Sequence, residues 1–210
     1  MRKALAVLAV LAGLAGLALL TGCAGNAGNT GQAAGSSSEL RGAVLDTPYV
    51  VPPAPLTDTA GEAYSLTRDT DKPLTLVFFG YTHCPDICQV VMSTVASALT
   101  RLDDADRERV DVAFVTTDPA RDTGPVLREY LDNFDAEFIG LTGELDTIVD
   151  LGKPMAVAVE QGKKLPSGGY EVTHSTHVSG IGSDDQVSIV WTQGTSSADF
   201  ASDIHQLLQK

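Results

Sequence analysis

The sequence predicts an α/β domain with a mixed central sheet and helices on both of its faces. Two apolar runs, Pro73–Gly80 and Val110–Thr117, are nearly continuous. Runs of that kind read as strands buried on both faces, the habit of parallel strands. Segments with helical apolar spacing alternate with them, which is the pattern of layered α/β folds. The chain has 210 residues, and single domains span roughly 50–250, so one domain with a full core is expected.

The N-terminus stands outside that domain. Arg2 and Lys3 precede an apolar run from Ala4 to Leu20, which closes on Leu20-Thr21-Gly22-Cys23. Charge, apolar stretch and small residues in that order mark residues 1–22 as an export signal. The run is short for a bilayer span of about 20 apolar residues. Residues 23–39 are rich in Gly, Ala, Ser and Asn without apolar periodicity, as in a flexible tether. The domain itself is read as residues 40–210.

Within the domain, Tyr49-Val50-Val51 is a short extended piece before Pro52-Pro53. Leu56 to Leu66 reads as a hairpin turning at Gly61. After the Pro73–Gly80 strand, a helix is expected from Pro85 to Leu102, with Val90, Val91, Val95, Leu99 and Leu102 as its apolar stripe. Pro85 suits a first helical position, where its missing N–H costs nothing. Asp118-Pro119 ends the second strand. Asp122 or Thr123 caps the next helix, which carries Val126, Leu127, Tyr130 and Leu131. Glu137–Leu141 is a third strand and Glu144–Leu151 a short helix. Gln161–Gly169 is a polar insertion. His177–Gly182 and Gln186–Trp191 form a second hairpin, and a last helix runs from Ser196 or Ser197 to Leu208. The order β-α-β-α-β-α-β-β-α, with a cysteine pair at the first helix, looks thioredoxin-like. Fold analogy alone assigns no function.

Lys and Arg number 14 against 27 Asp and Glu, for a formal net charge of -13. Nucleic acid is excluded as a partner, because phosphate binding needs a basic face. The chemistry sits at Cys84 and Cys88, where strand passes into helix. Residues four apart on a helix share a face, so the two sulfurs can close a disulfide or grip one metal ion. A helix N-terminus favours the thiolate that both reactions need. Redox thioredoxins use two residues between their cysteines, not three, and keep a proline where Ser175-Thr176 stand here. The pattern therefore leans from disulfide exchange toward metal capture. Two thiolates and one imidazole make a trigonal site suited to Cu(I); zinc also accepts that set. The candidate imidazoles are His83, His174, His177 and His205. His205, on the last helix, reads as a solvated surface histidine.

The stretch FFGYTHCPDIC (Phe78–Cys88) with TTDPARDTGPVLREYL (Thr116–Leu131) closely resembles the SCO family, also called SenC or PrrC. The resemblance covers roughly residues 42–210, and the two motifs together are specific. It implies a membrane-tethered copper protein of cytochrome c oxidase assembly. Copper would be bound by Cys84, Cys88 and a distant histidine. The context Val172-Thr173-His174-Ser175 points to His174, with Thr173 in place of the family's aspartate and His177 as the alternative ligand. Gln89 replaces the proline that usually follows the second cysteine. Leu20–Cys23 resembles a bacterial lipobox, which makes Cys23 a lipid anchor on the outer face of the cell membrane. Asp86 and Asp118 become residues that orient a ligand or tune copper affinity; otherwise Asp118 opens a turn and Asp86 favours the helix N-terminus by its charge. The implied partner is the CuA site of oxidase subunit II, and the implied state a monomer. A thiol–disulfide reductase acting on that partner's cysteines is the alternative function.

Overall fold

The structure is a computed structural model that describes residues 39–209, apart from residue 71, residues 165–169 and the side chains of residues 160–174. The expectations for residues 1–38, including Cys23, lie outside the described residues. Among the described residues, no helix is long and apolar enough to cross a membrane.

The sheet begins with β1 (Ala43–Val50), an edge strand longer than the extended piece expected at Tyr49–Val51. β2 (Leu56–Asp58) and β3 (Ala63–Tyr64) form the first hairpin. Gly61 sits in its turn at φ +88°, a conformation that a side chain would strain. β4 (Leu74–Gly80) is buried throughout and leads to α1 (Ile87–Leu99). A short α2 (Asp104–Arg107), which periodicity did not predict because it is a single turn, precedes β5 (Val110–Thr116). α3 (Gly124–Leu131), β6 (Ile139–Thr142) and α4 (Leu145–Gly152) follow. The polar insertion is not a loop throughout: β7 (Val159–Lys164) and β8 (Tyr170–His174) pair antiparallel as a separate two-stranded sheet. β9 (Val178–Gly182), β10 (Gln186–Trp191) and α5 (Ser197–Leu208) end the chain.

The main sheet runs in the order β1-β10-β9-β4-β5-β6-β2-β3. β4, β5 and β6 are parallel, and the flanking strands are antiparallel to their neighbours. Alternate residues of β4 point to opposite faces. Leu76 and Phe78 pack on one side with α1, α3 and α5, through Met92, Val95, Leu127, Trp191 and Ile204. Val77 and Phe79 pack on the other side with α4, through Ile148 and Leu151. This is the thioredoxin-like arrangement, and it sets the ends of β4 and β5 side by side.

The apolar stripe of α1 differs from the expected one. Val90 is 53% exposed, while Cys88, Val91, Met92, Val95, Ala98 and Leu99 face the core. The stripe begins one turn earlier than read, and Cys88 is part of it.

Toward the sheet's β1 edge, Asp203 of α5 is fully buried. Its carboxylate accepts the Arg41 and Gly42 backbone N–H groups, at 2.9 and 2.8 Å, and the Trp191 indole N–H at 2.8 Å. Gly42 has no alternative residue here, since a Cβ would stand 2.7 Å from Trp191 Nε1. Asp203→Ala leaves two buried donors, Gly42 N–H and Trp191 Nε1–H, unpaired, each costing roughly 1–3 kcal/mol before relaxation. Urea unfolding of that variant is expected to show a loss of about 3 kcal/mol, whereas Asp199→Ala, on the exposed side of the same helix, changes stability by less than about 1 kcal/mol.

Candidate functional site

The cysteine loop occupies the gap between the C-terminal end of β4 and the first turn of α1. The helix begins at Ile87 and not at Pro85. A residue before proline avoids the helical region, so Cys84, ahead of Pro85, stays out of the helix. Cys84 instead closes a turn, donating its N–H to the Tyr81 carbonyl at 3.2 Å. Its sulfur then takes the place of a capping side chain: the Cys88 N–H, free in the first turn, donates to Cys84 Sγ at 3.4 Å. Asp86, the residue at the cap position, makes no capping bond with its side chain and is exposed.

Two features hold the loop. Gly80, the last residue of β4, has its carbonyl bonded by the Thr117 N–H at 2.7 Å. A Cβ on Gly80 would stand 3.1 Å from Cys88 Sγ and 2.7 Å from the Phe78 ring, so the absent side chain makes room for the second sulfur. The other feature is Asp122, fully buried between β5 and α3. Its carboxylate accepts the Thr82 N–H at 2.9 Å, the Thr82 hydroxyl at 2.6 Å and the Thr116 hydroxyl at 2.7 Å. Asp122 was one of two expected helix caps. Thr123 takes the cap position, and the Asp122 carboxylate fastens the cysteine loop to β5. Sequence reasoning missed this role and that of Thr82. The threonine beside the first cysteine and the second acid of Asp-Pro-x-Arg-Asp-Thr were the available signals.

Both cysteines are free thiols, 7% and 0% exposed. Burial, followed by a hydrogen bond with Cys84, pushes the Cys88 thiol far above its ordinary range. Burial and the two adjacent thiols also raise the Tyr81 phenol, which bonds the Cys84 side chain. Tyr81 is therefore a neighbour of the pair that the spacing of the motif did not disclose. Asp118 is buried at the end of β5 and pairs with Arg121, while its Oδ1 has no hydrogen-bond partner among the described residues.

The histidines separate. The backbone of His174 ends β8, opposite Val159, and its side chain lies outside the described residues. His177 precedes β9 half-buried, with Nε2 enclosed and unpartnered. Burial lowers its pKa below 6.5, against a smaller raising effect of a hydrogen bond with the Met155 backbone. His205 is not merely solvated: its Nδ1 lies 2.5 Å from buried Asp106 Oδ2, tying α5 to α2. His83 is exposed beside Cys84. Among the described residues, no three His, Cys, Asp or Glu side chains converge as a metal site. The pair Cys84 and Cys88 fits a soft metal by its chemistry, and a third donor has to come from elsewhere.

A dithiol held between parallel strand ends and the following helix, with a closing β-hairpin and helix, defines a thioredoxin-like thiol domain. The chain belongs to the SCO1/SenC family, whose profile matches residues 44–209. It is 32% identical over 152 residues to a "Putative copper-binding protein" of Stutzerimonas stutzeri, spanning 69% of this chain and 74% of that one. It is 36% identical over 125 residues to "Protein SCO2, mitochondrial" of Saccharomyces cerevisiae, covering 55% of this chain and 42% of the yeast protein. The chain thus spans less than half of that relative's length. Its structure superposes on Bradyrhizobium japonicum ScoI with copper bound at a TM-score of 0.67 and 27% identity, covering 75% of this chain and 99% of ScoI.

Two measurements follow from this geometry. With iodoacetamide near pH 8, Cys84 is expected to be alkylated about tenfold faster than Cys88, since the attacking species is the thiolate and burial suppresses it at Cys88; peptide mass mapping reads the order. His177 binds protons less readily in the folded chain than in the unfolded one. Its contribution to stability is present above pH 6.5 and is lost as pH falls through that value. Urea midpoints should therefore decline as pH falls below about 6.5, and His177→Gln should flatten that slope.

Proposed function

We propose that this chain is a copper metallochaperone that carries its cargo on Cys84, Cys88 and His174 and delivers it to the CuA site of cytochrome c oxidase subunit II. The observation that carries the reading is the buried, reduced dithiol at the start of α1, in a family with a relative named for copper binding and a copper-bound solved member. The oxidase target comes from the resemblance of Phe78–Cys88 and Thr116–Leu131 to the SCO motifs. The chain acts as a monomer, tethered through a lipid on Cys23 at the outer face of the membrane, where that acceptor site is exposed.

The residues divide the work. Cys84, the less buried sulfur, meets the metal first. Cys88 follows, losing its proton on binding, which makes uptake pH-dependent. His174, whose backbone ends β8, is the proposed third donor, and the soft set of two sulfurs and one nitrogen favours Cu(I) over harder ions. His177, with its unpartnered Nε2, is the alternative third ligand. Asp118 has one free carboxylate oxygen with which to orient a ligand; Asp86, exposed and unbonded at its cap position, favours the α1 N-terminus by charge.

The hydrogen bond between the two cysteine side chains favours a second reading, in which the pair reduces a disulfide in the acceptor. Metal analysis of the reduced full-length chain separates the readings. The chaperone reading predicts about one copper per chain, lost in Cys84→Ala and Cys88→Ala and weakened roughly 10–100-fold in His174→Ala. Copper retained by all three variants contradicts the ligand assignment, and disulfide turnover without copper uptake favours the reductase.

A further inference from the structure

His83 stands one residue before Cys84, its side chain 59% exposed. Its Nδ1 lies 2.9 Å from the Thr82 hydroxyl oxygen. That hydroxyl has a single proton, directed to Asp122 Oδ1 at 2.6 Å. The carboxylate is the acceptor in this bond, and its Oδ2 also accepts the Thr82 N–H at 2.9 Å and the Thr116 hydroxyl at 2.7 Å. The Thr116 oxygen itself accepts the Asp118 N–H at 2.9 Å, so its own proton is free for Asp122. Toward His83, the Thr82 oxygen is then an acceptor only. The neutral imidazole is fixed with its proton on Nδ1, and Nε2 keeps its lone pair.

This is how metal-binding histidines are prepared: one ring N–H donates to an anchored acceptor, and the other nitrogen binds. Here the anchor is a buried carboxylate acting through one threonine. The dithiol, in contrast, is enclosed, at 7% and 0% exposure. A copper complex arriving from solution meets His83 before it meets both sulfurs.

We propose that His83 Nε2 is a transient pick-up ligand for Cu(I) at the mouth of the dithiol, with Asp122 and Thr82 as its positioning residues. The inference rests on the reading that Cys84 and Cys88 take copper. In the exchange, Nε2 bonds to copper as one ligand of the donor complex leaves. The Cys84 sulfur then displaces Nε2, and the thiol proton passes to the departing ligand or to water. Copper stays Cu(I) and no electron moves. Because His83 is absent from the final complex, it speeds loading and unloading equally.

The test is stopped-flow loading of the reduced full-length chain from a Cu(I)–bicinchoninate complex, with equilibrium competition read on the same samples. His83→Ala should load about tenfold more slowly, with the competition endpoint unmoved, and Thr82→Val should slow loading as well. Thr82→Ser, which keeps the hydroxyl, should restore the rate. Long-range proton–nitrogen spectra of the metal-free chain should show His83 protonated on Nδ1, a preference lost in Thr82→Val. If Thr82→Val does not fold, His83→Ala and the tautomer decide. Unaltered loading by His83→Ala, a proton found on Nε2, or an endpoint that falls with the rate in His83→Ala overturns the inference while leaving copper binding by the thiols intact. A parent chain that takes up no Cu(I) overturns both.

Discussion

The cysteine loop depends on one buried carboxylate. Asp122 is fully buried, and an ion in that position is tolerable only when hydrogen-bonded. Its three donors come from Thr82 and Thr116, one in the loop and one at the end of β5. Satisfying the charge therefore fixes the loop against the sheet. The parallel β4–β5 register supplies the frame, bringing Gly80 opposite Thr116. The loop's backbone then has one course to α1, and that course sets Cys84 beneath the first turn and Cys88 inside it.

Cys88 is held in a poor environment for a free thiolate. Cys88 lies in the apolar stripe of α1, among Val91, Met92 and Val95, and burial favours its protonated form. The Cys88 amide donates to Cys84 Sγ, so the two sulfurs have different surroundings. The pair is thus unequal. A bound cation would offset the burial penalty at Cys88 by supplying the missing positive charge. The missing methyl at Gly80 belongs to the same design, since a side chain there would occupy the space of Cys88 Sγ.

Much of this was legible in the sequence. The buried strands β4 and β5 announce themselves as unbroken apolar runs, the first hairpin by Gly61, and α5 by Ser196, whose hydroxyl accepts the Asp199 N–H. The cysteine pair was evident by type and spacing. What escaped depended on three-dimensional neighbours. Asp122 reads as a helix cap because caps are local, while its bond to Thr82 spans forty residues of chain. His205 reads as solvated because its partner, Asp106, sits on a helix too short to show a period. The β7–β8 pair was hidden by polar composition: a hairpin outside the main sheet has no need of the apolar alternation that marks strands in a core. The start of α1 was misplaced by two residues because Pro85 was taken as a helical opener, when its effect on Cys84 was to hold that residue out.

The central claim is that two cysteines and one histidine of a single chain hold the copper. X-ray absorption at the copper edge, on the reduced full-length chain loaded with one Cu(I), tests it most directly. The account predicts a three-coordinate copper with two sulfur scatterers and one imidazole nitrogen. A copper surrounded by nitrogen and oxygen alone, or by four sulfurs drawn from two chains, would contradict it.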